Sequence, residues 1–141
     1  ADLRYEVLMR ETQQLYCGPS HPLYGQGPFS PNELATQAFI HTGEDEPAAL
    51  EAFRQRFGLG QRRAGFAEDL HEVRWLIELG LGLGFLPTVV AGSRPDRDAL
   101  WPLLAPDLLP SYDVFLITRQ ALASDPLCER LLTAIRQDHR A

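Results

Sequence analysis

The chain has 141 residues, 45% apolar and 23% charged, the composition of one ordinary globular domain, which excludes a disordered or low-complexity tract. Its formal net charge of −6 repels phosphate, so these residues alone exclude a general nucleic-acid binder. Leu76 to Gly92 is the longest apolar stretch; Glu78, the glycines at 80, 82 and 84, and Pro87 break it too often for a membrane span.

Tyr5 to Arg10 and Gln14 to Gly18 read as short strands, with a reversal at Glu11-Thr12-Gln13 between them. Gly18-Pro19-Ser20-His21-Pro22 and Gly25 to Pro28 are loops. Ser30-Pro31 opens a short helix to Thr36, and Ala38 to His41 is a buried strand. Pro47 to Phe57 is a long helix with Ala49, Leu50, Phe53 and Phe57 on one face, ended by Gly58. Arg63 to Ala67 is a strand. Asp69 caps a second helix running to Leu79, and Gly80 ends it. Leu81 to Leu86 is a strand, Pro87 to Ala91 a short helix and Ser93 to Asp98 a polar loop. Leu100 to Leu104 and Asp113 to Thr118 are strands. Ser124-Asp125-Pro126 starts a last amphipathic helix with Leu127, Leu131, Leu132 and Ile135 as its buried stripe. Strands alternating with helices predict an α/β fold, a mostly parallel sheet with helices on both faces.

Gln14-Leu15-Tyr16-Cys17-Gly18-Pro19-Ser20-His21-Pro22-Leu23 resembles the strand and His-Pro-Leu turn of LysR-type effector domains. Phe29 to Ala35 resembles the short helix that follows there, and Ala38-Phe39-Ile40 the next strand. Glu78 to Pro87 is similar to the family's Gly-Leu-Gly-Ile-x-x-Leu-Pro segment, and Val114 to Arg119 to its return strand. The resemblance covers nearly the whole chain, and it is the order and spacing of these segments that carry it. It implies an α/β architecture of the periplasmic-binding-protein type 2 class, with Rossmann-like lobes. On that mapping residues 1–20 end the first lobe and cross over, residues 21–112 form the second lobe, and residues 113–141 return to the first as a strand and helix. The opening of the first lobe and the winged helix-turn-helix of the family are not in this sequence, so operator DNA is expected to be met only through that missing domain. A homo-oligomer, most simply a homodimer, is the expected assembly.

In such folds ligands sit where strands end and helices begin, because free backbone N–H groups gather there. The resemblance carries an effector-contact role to His41, Thr42 and Gly43 before the first long helix, to Phe66 and Ala67 before the second, and more weakly to Trp75. The plainer reading of these residues is ordinary turns and a core aromatic. Glu44-Asp45-Glu46 and Glu68-Asp69 crowd the two helix starts, where acidic side chains are favoured by the helix dipole. They also occupy the positive end an anion would use, so the expected effector is neutral, cationic or aromatic rather than a small dianion.

No catalytic residue, metal site or cofactor is expected. Gly80-Leu81-Gly82-Leu83-Gly84 lacks nucleotide-loop spacing and is followed by a strand, so it reads as helix cap and close packing. His21, His41, His71 and His139 have no ligand spacing. Cys17 lies in an apolar strand, where a thiol is inert packing, and two unpaired thiols fit a cytoplasmic location. Arg54, Arg56, Arg62 and Arg63 read as a solvated basic surface. The rival readings are a free-standing or transport-type solute-binding module and a small α/β enzyme using His41 or Asp69. The enzyme would need a convergent acid, base or nucleophile cluster that the sequence does not display.

Overall fold

A computed structural model describes residues 2–43, 46–92, 100–122 and 124–138. The elements are β1 (Leu3–Cys17), β2 (Ala38–His41), α1 (Ala48–Phe57), β3 (Arg62–Phe66), α2 (Leu70–Glu78), β4 (Gly84–Pro87), α3 (Thr88–Ala91), β5 (Trp101–Pro102), β6 (Ser111–Arg119) and α4 (Pro126–Asp138). Two compact units emerge: residues 12–111, and residues 1–11 with 112–141.

In the larger unit β2 and β3 pair in parallel, β2 reaches β4 through a parallel bridge between Phe39 and Leu83, and β1 pairs antiparallel with both β4 and β5. The sheet is therefore mixed, which corrects the expectation of a mostly parallel one. The β-α-β stretch from β2 to β4 does obey the parallel rule of crossover connections. The departures come from β1, which enters beside β4 running the opposite way, so that Gln13 faces Pro87 and Tyr16 faces Gly84.

Side-chain alternation along these strands divides the core between the two faces. Leu15, Cys17, Phe39 and Phe85 point to one side, where Leu50, Phe53 and Phe57 of α1 meet them. Tyr16, Ile40 and Leu86 point to the other, against Val73 and Ile77 of α2 and Val90 and Ala91 of α3. Helices thus cover both faces. Gly84 is needed for this closeness: a β-carbon there would sit 2.5 Å from Ile77 Cδ1. Gly80 leaves α2 at φ +79°, and a β-carbon would sit 2.2 Å from Ser20 Oγ. The glycine run is thus cap and close packing, as its spacing suggested.

In the smaller unit β6 lies antiparallel to the first part of β1, with Gln120 N donating to Asp2 O at one end and Tyr112 Oη donating to Glu11 at the other. The expected reversal at Glu11-Thr12-Gln13 does not occur; β1 is a single strand of 15 residues. Its polar midsection is satisfied by partners rather than by a turn. Glu11 accepts from Tyr112 at 2.5 Å, Thr12 meets Ser111 Oγ at 2.9 Å, and Gln13 N donates to Pro110 O at 3.0 Å.

Several boundaries shift. The helix expected from Pro31 to Thr36 is one 3-10 turn, Pro31–Leu34. The strand expected from Leu100 to Leu104 shrinks to two residues. The loop from Ser93 to Asp98 lies outside the described residues. The stripe of α4 is the largest correction: Leu127 is 74% exposed and Leu131 60%, while Leu132 and Ile135 are half-buried. Helical periodicity orients a stripe but does not supply its cover, and a two-stranded ribbon is too narrow to bury a whole helix face.

Candidate functional site

The parallel pairing of β2 and β3 brings both strand-to-helix junctions to the same end of the sheet. His41 stands opposite Phe66, and Ala67 N donates to His41 O at 3.0 Å. A β-carbon on Gly43 would lie 3.7 Å from Glu68 Cγ, so the turn after β2 and the turn after β3 touch. His41, Thr42 and Gly43 are half-buried, Ala67 is buried and Phe66 is 60% exposed. Five of the six expected residues are therefore neighbours. Trp75 is not among them: Val73, Arg74 and Ile77 turn inward on α2, and Trp75, 59% exposed, stands on the outward face with Leu79. Because β4 runs parallel to β2, its end at Pro87 and the exposed Thr88 that starts α3 open in the same direction. Sequence reasoning missed Thr88, although a strand running straight into a helix was the available signal.

His41 is the polar centre of this end. Burial is the largest cause lowering its pKa from the ordinary 6.5, followed by the nearby positive charges of Arg63 and Arg54. The imidazole is therefore neutral at pH 7. It packs against Gly60, where a β-carbon would come within 2.9 Å of its Cε1. Its Nε2 is buried without a hydrogen-bond partner among the described residues. A cavity of about 30 Å³ beside it, walled by Phe39, Thr42, Glu46, Leu50, Arg54 and Phe85, has room for about one water.

Two of the acidic side chains at the helix starts, Glu46 and Asp69, are engaged within the protein. Glu46 takes both Nε and Nη2 of Arg54, and that hydrogen bonding is the main cause raising the arginine's pKa. Asp69 caps α2 by accepting the His71 N–H at 2.7 Å. Glu44 and Asp45 lie outside the described residues. Of the basic cluster, Arg54 is engaged with Glu46, Arg56 lies 5.0 Å over the Phe57 ring, and Arg62 and Arg63 are exposed on β3. Cys17 is fully buried, and burial pushes its thiol up to about 11. His21 is held in its turn, accepting the Leu23 N–H on Nδ1 at 3.1 Å. Neither is placed to act on a ligand at the strand ends.

Arg74 is a second residue the sequence did not flag. Its side chain is only 2% exposed, Nη1 donates to Ala91 O at 2.5 Å, and Nε lies 3.0 Å from Glu78 Oε1. The one sequence signal was an arginine on the inward 73-74-77 stripe of α2.

The model of the LysR substrate binding domain matches residues 1–140. No curated protein sequence matches the chain. Among solved structures, the CcmR regulatory domain of Synechocystis PCC6803 in complex with 2-PG superposes with a TM-score of 0.81 at 17% identity, covering 99% of this chain and 68% of that one. The effector-binding domain of QuiR in complex with shikimate gives 0.77 at 11% identity, covering 99% and 66%. CbnR, a LysR family transcriptional regulator, gives 0.67 at 17% identity, covering 99% of this chain and 49% of that one. The chain thus spans about two thirds, or less, of the structures it matches. The fold, the order of the segments and the full-length family match agree: the chain belongs to the LysR substrate binding domain family, the effector-binding part of LysR-type transcriptional regulators.

Proposed function

We propose that this chain senses a small molecule at the shared end of β2 and β3, as part of a LysR-type regulator, and that it is a binding module rather than an enzyme. The observation that carries the reading is the contact of the two junctions, fixed by the Ala67 N to His41 O bond. It gathers His41, Thr42, Gly43, Phe66 and Ala67 where helix N-termini leave backbone donors. The small-molecule complexes of CcmR and QuiR support it. Trp75, on the outward face of α2, is left out of the proposed contact set. Residues 1–20, 21–112 and 113–141 then serve as crossover, second lobe and return to the first.

The effector changes the regulator by binding one arrangement of the protein more tightly than another, since a ligand shifts an equilibrium only through unequal affinity. Operator DNA is met through a winged helix-turn-helix outside this sequence, in a cytoplasmic homo-oligomer that needs no cofactor or metal. The effector is neutral, cationic or aromatic. Asp69 already occupies the start of α2, Glu68 lies against Gly43, and Arg54 is held by Glu46.

Calorimetric titration of the full regulator with matched dicarboxylate, uncharged, aromatic and amine compounds tests this. Binding by one of the latter classes, lost in His41→Ala and Thr42→Ala, is the expected result. A dicarboxylate that binds far better than the others refutes the charge assignment. Binding that ignores both substitutions refutes the site.

A further inference from the structure

α3 is too short to hold its own shape. It has four residues, Thr88–Ala91, and starts directly from Pro87 at the end of β4 with no side-chain cap. One turn fixes several backbone angles for little hydrogen bonding, so an isolated turn does not persist in water. Its position therefore comes from its neighbours. Val90 and Ala91 pack into the core on the α2 side of the sheet. The last carbonyls of a helix are short of internal partners, and here Arg74 of α2 reaches them: its Nη1 lies 2.5 Å from Ala91 O and 3.5 Å from Val90 O.

Arginine is a costly choice for this place. Arg74 is 2% exposed, the one charged residue buried to that degree among the described residues. Desolvating a guanidinium is expensive, and an apolar side chain on the inward stripe of α2 would fill the space without that cost. What an apolar side chain cannot do is bind a carbonyl of another helix. Glu78, one turn on, stands 3.0 Å from Nε and steadies the guanidinium from its own helix. The result is a directed tie between α2 and the end of α3. Thr88, at the other end of that single turn, is exposed and opens toward the end of the sheet where His41 stands. A turn about 6 Å long moves as one piece, so whatever fixes Ala91 also fixes Thr88.

We propose that Arg74 is a positioning residue of the effector site: its hold on the end of α3 sets where the Thr88 hydroxyl stands, and Thr88 contacts the effector. The proposal rests on the reading that the effector binds at the shared strand ends.

Two measurements on the full regulator test it. The first is hydrogen exchange of the segment 88–92, whose Gly92 amide donates to Thr88 O at 3.1 Å. Arg74→Met should speed it roughly tenfold or more, the loss of one charged hydrogen bond, while the fully buried Cys17 stays unreactive to a thiol reagent and so shows the fold closed. Arg74→Lys, which keeps a charged donor, should restore part of the protection. The second is calorimetric titration with succinate, succinamide, benzamide and 1,4-diaminobutane. For a probe that binds the wild type, Arg74→Met and Thr88→Ala should each weaken binding about three- to tenfold, and the double variant should be no weaker than Arg74→Met alone. An arginine that only stabilises the fold would leave the Thr88→Ala factor the same in both backgrounds. Equal factors overturn the proposal even where binding still depends on His41, and unchanged exchange of 88–92 overturns it whether or not a probe binds. Probes that bind but ignore His41→Ala remove the effector-site reading instead.

Discussion

Replacing Arg74 by methionine separates two views of a buried charge. Arg74 is 2% exposed and Glu78, one turn further along α2, is 21% exposed. Their Nε and Oε1 atoms lie 3.0 Å apart, yet neither makes a well-directed hydrogen bond, so the attraction is mainly Coulombic. The directed bond of the guanidinium goes to Ala91 O at the end of α3, and Nη2 is buried without a hydrogen-bond partner among the described residues. Breaking a buried pair by removing one member costs about 3–5 kcal/mol, because the other charge is left stranded. Glu78 retains some access to water, which places Arg74→Met near the lower end, about 3 kcal/mol. Replacing both members by apolar groups of similar size is neutral or stabilising in comparable pairs. Arg74→Met with Glu78→Leu should therefore recover part of the loss, and the shortfall reports the lost bond to Ala91. Urea denaturation of the wild type, both single variants and the double variant gives the cycle. A single variant within ~0.5 kcal/mol of wild type, or a double variant no better than Arg74→Met, refutes this account of the pair.

Burial lowers the pKa of His41 and of His21 below the ordinary 6.5, so the unfolded chain takes up protons first as pH falls. Their contribution to stability is complete above about 6.5 and is lost downward from there, with a slope of at most ~1.4 kcal/mol per pH unit per histidine; midpoints of urea unfolding between pH 7.5 and 5 should fall, and His41→Gln with His21→Gln should flatten the trend. Gly58→Ala meets only the strain of a left-handed φ of +66°, with nothing within 4 Å of the new β-carbon. Gly80→Ala meets φ +79° and Ser20 Oγ at 2.2 Å; it should lower the melting temperature clearly more, and equal losses would show that the serine simply moves aside. Asp69→Ala removes the cap of α2 at a cost of ~1 kcal/mol, while Asp69→Asn should retain most of it; a loss as large for asparagine as for alanine in thermal unfolding would assign Asp69 another role.

The alternation of strands and helices from β2 to β4 was legible because each element announces itself locally. Ala49, Leu50, Phe53 and Phe57 mark one helix face, Gly58 and Gly80 end helices at positive φ, and Asp69 caps where its spacing said it would. Errors arose where a residue's state depends on a distant partner. Glu11-Thr12-Gln13 has the composition of a turn, and only Tyr112, Ser111 and Pro110, about a hundred residues away, make it strand. Likewise, the direction of β1 against β4 is set by topology rather than composition, and α4 carries a correct periodicity with little to cover it.

The same division applies to the site. Which residues border the strand ends is local information, and five of the six expected ones came together. The electrostatics there are not local. Counting acidic residues before the two helices predicts strong negative charge, but Arg54 on the next turns of α1 closes on Glu46, and Asp69 spends its carboxylate on a backbone N–H. In the proposed site the central polar group is His41, which burial and two arginines keep uncharged and whose Nε2 has no hydrogen-bond partner among the described residues. A neutral imidazole with one unsatisfied nitrogen selects by hydrogen bonding rather than by charge. A buried polar atom left without a partner costs ~1–3 kcal/mol, so a ligand or water that supplies the missing hydrogen bond gains what an equally sized apolar group does not. In the proposed site, discrimination would therefore rest on one ring, packed against Gly60, where a β-carbon would come within 2.9 Å of its Cε1.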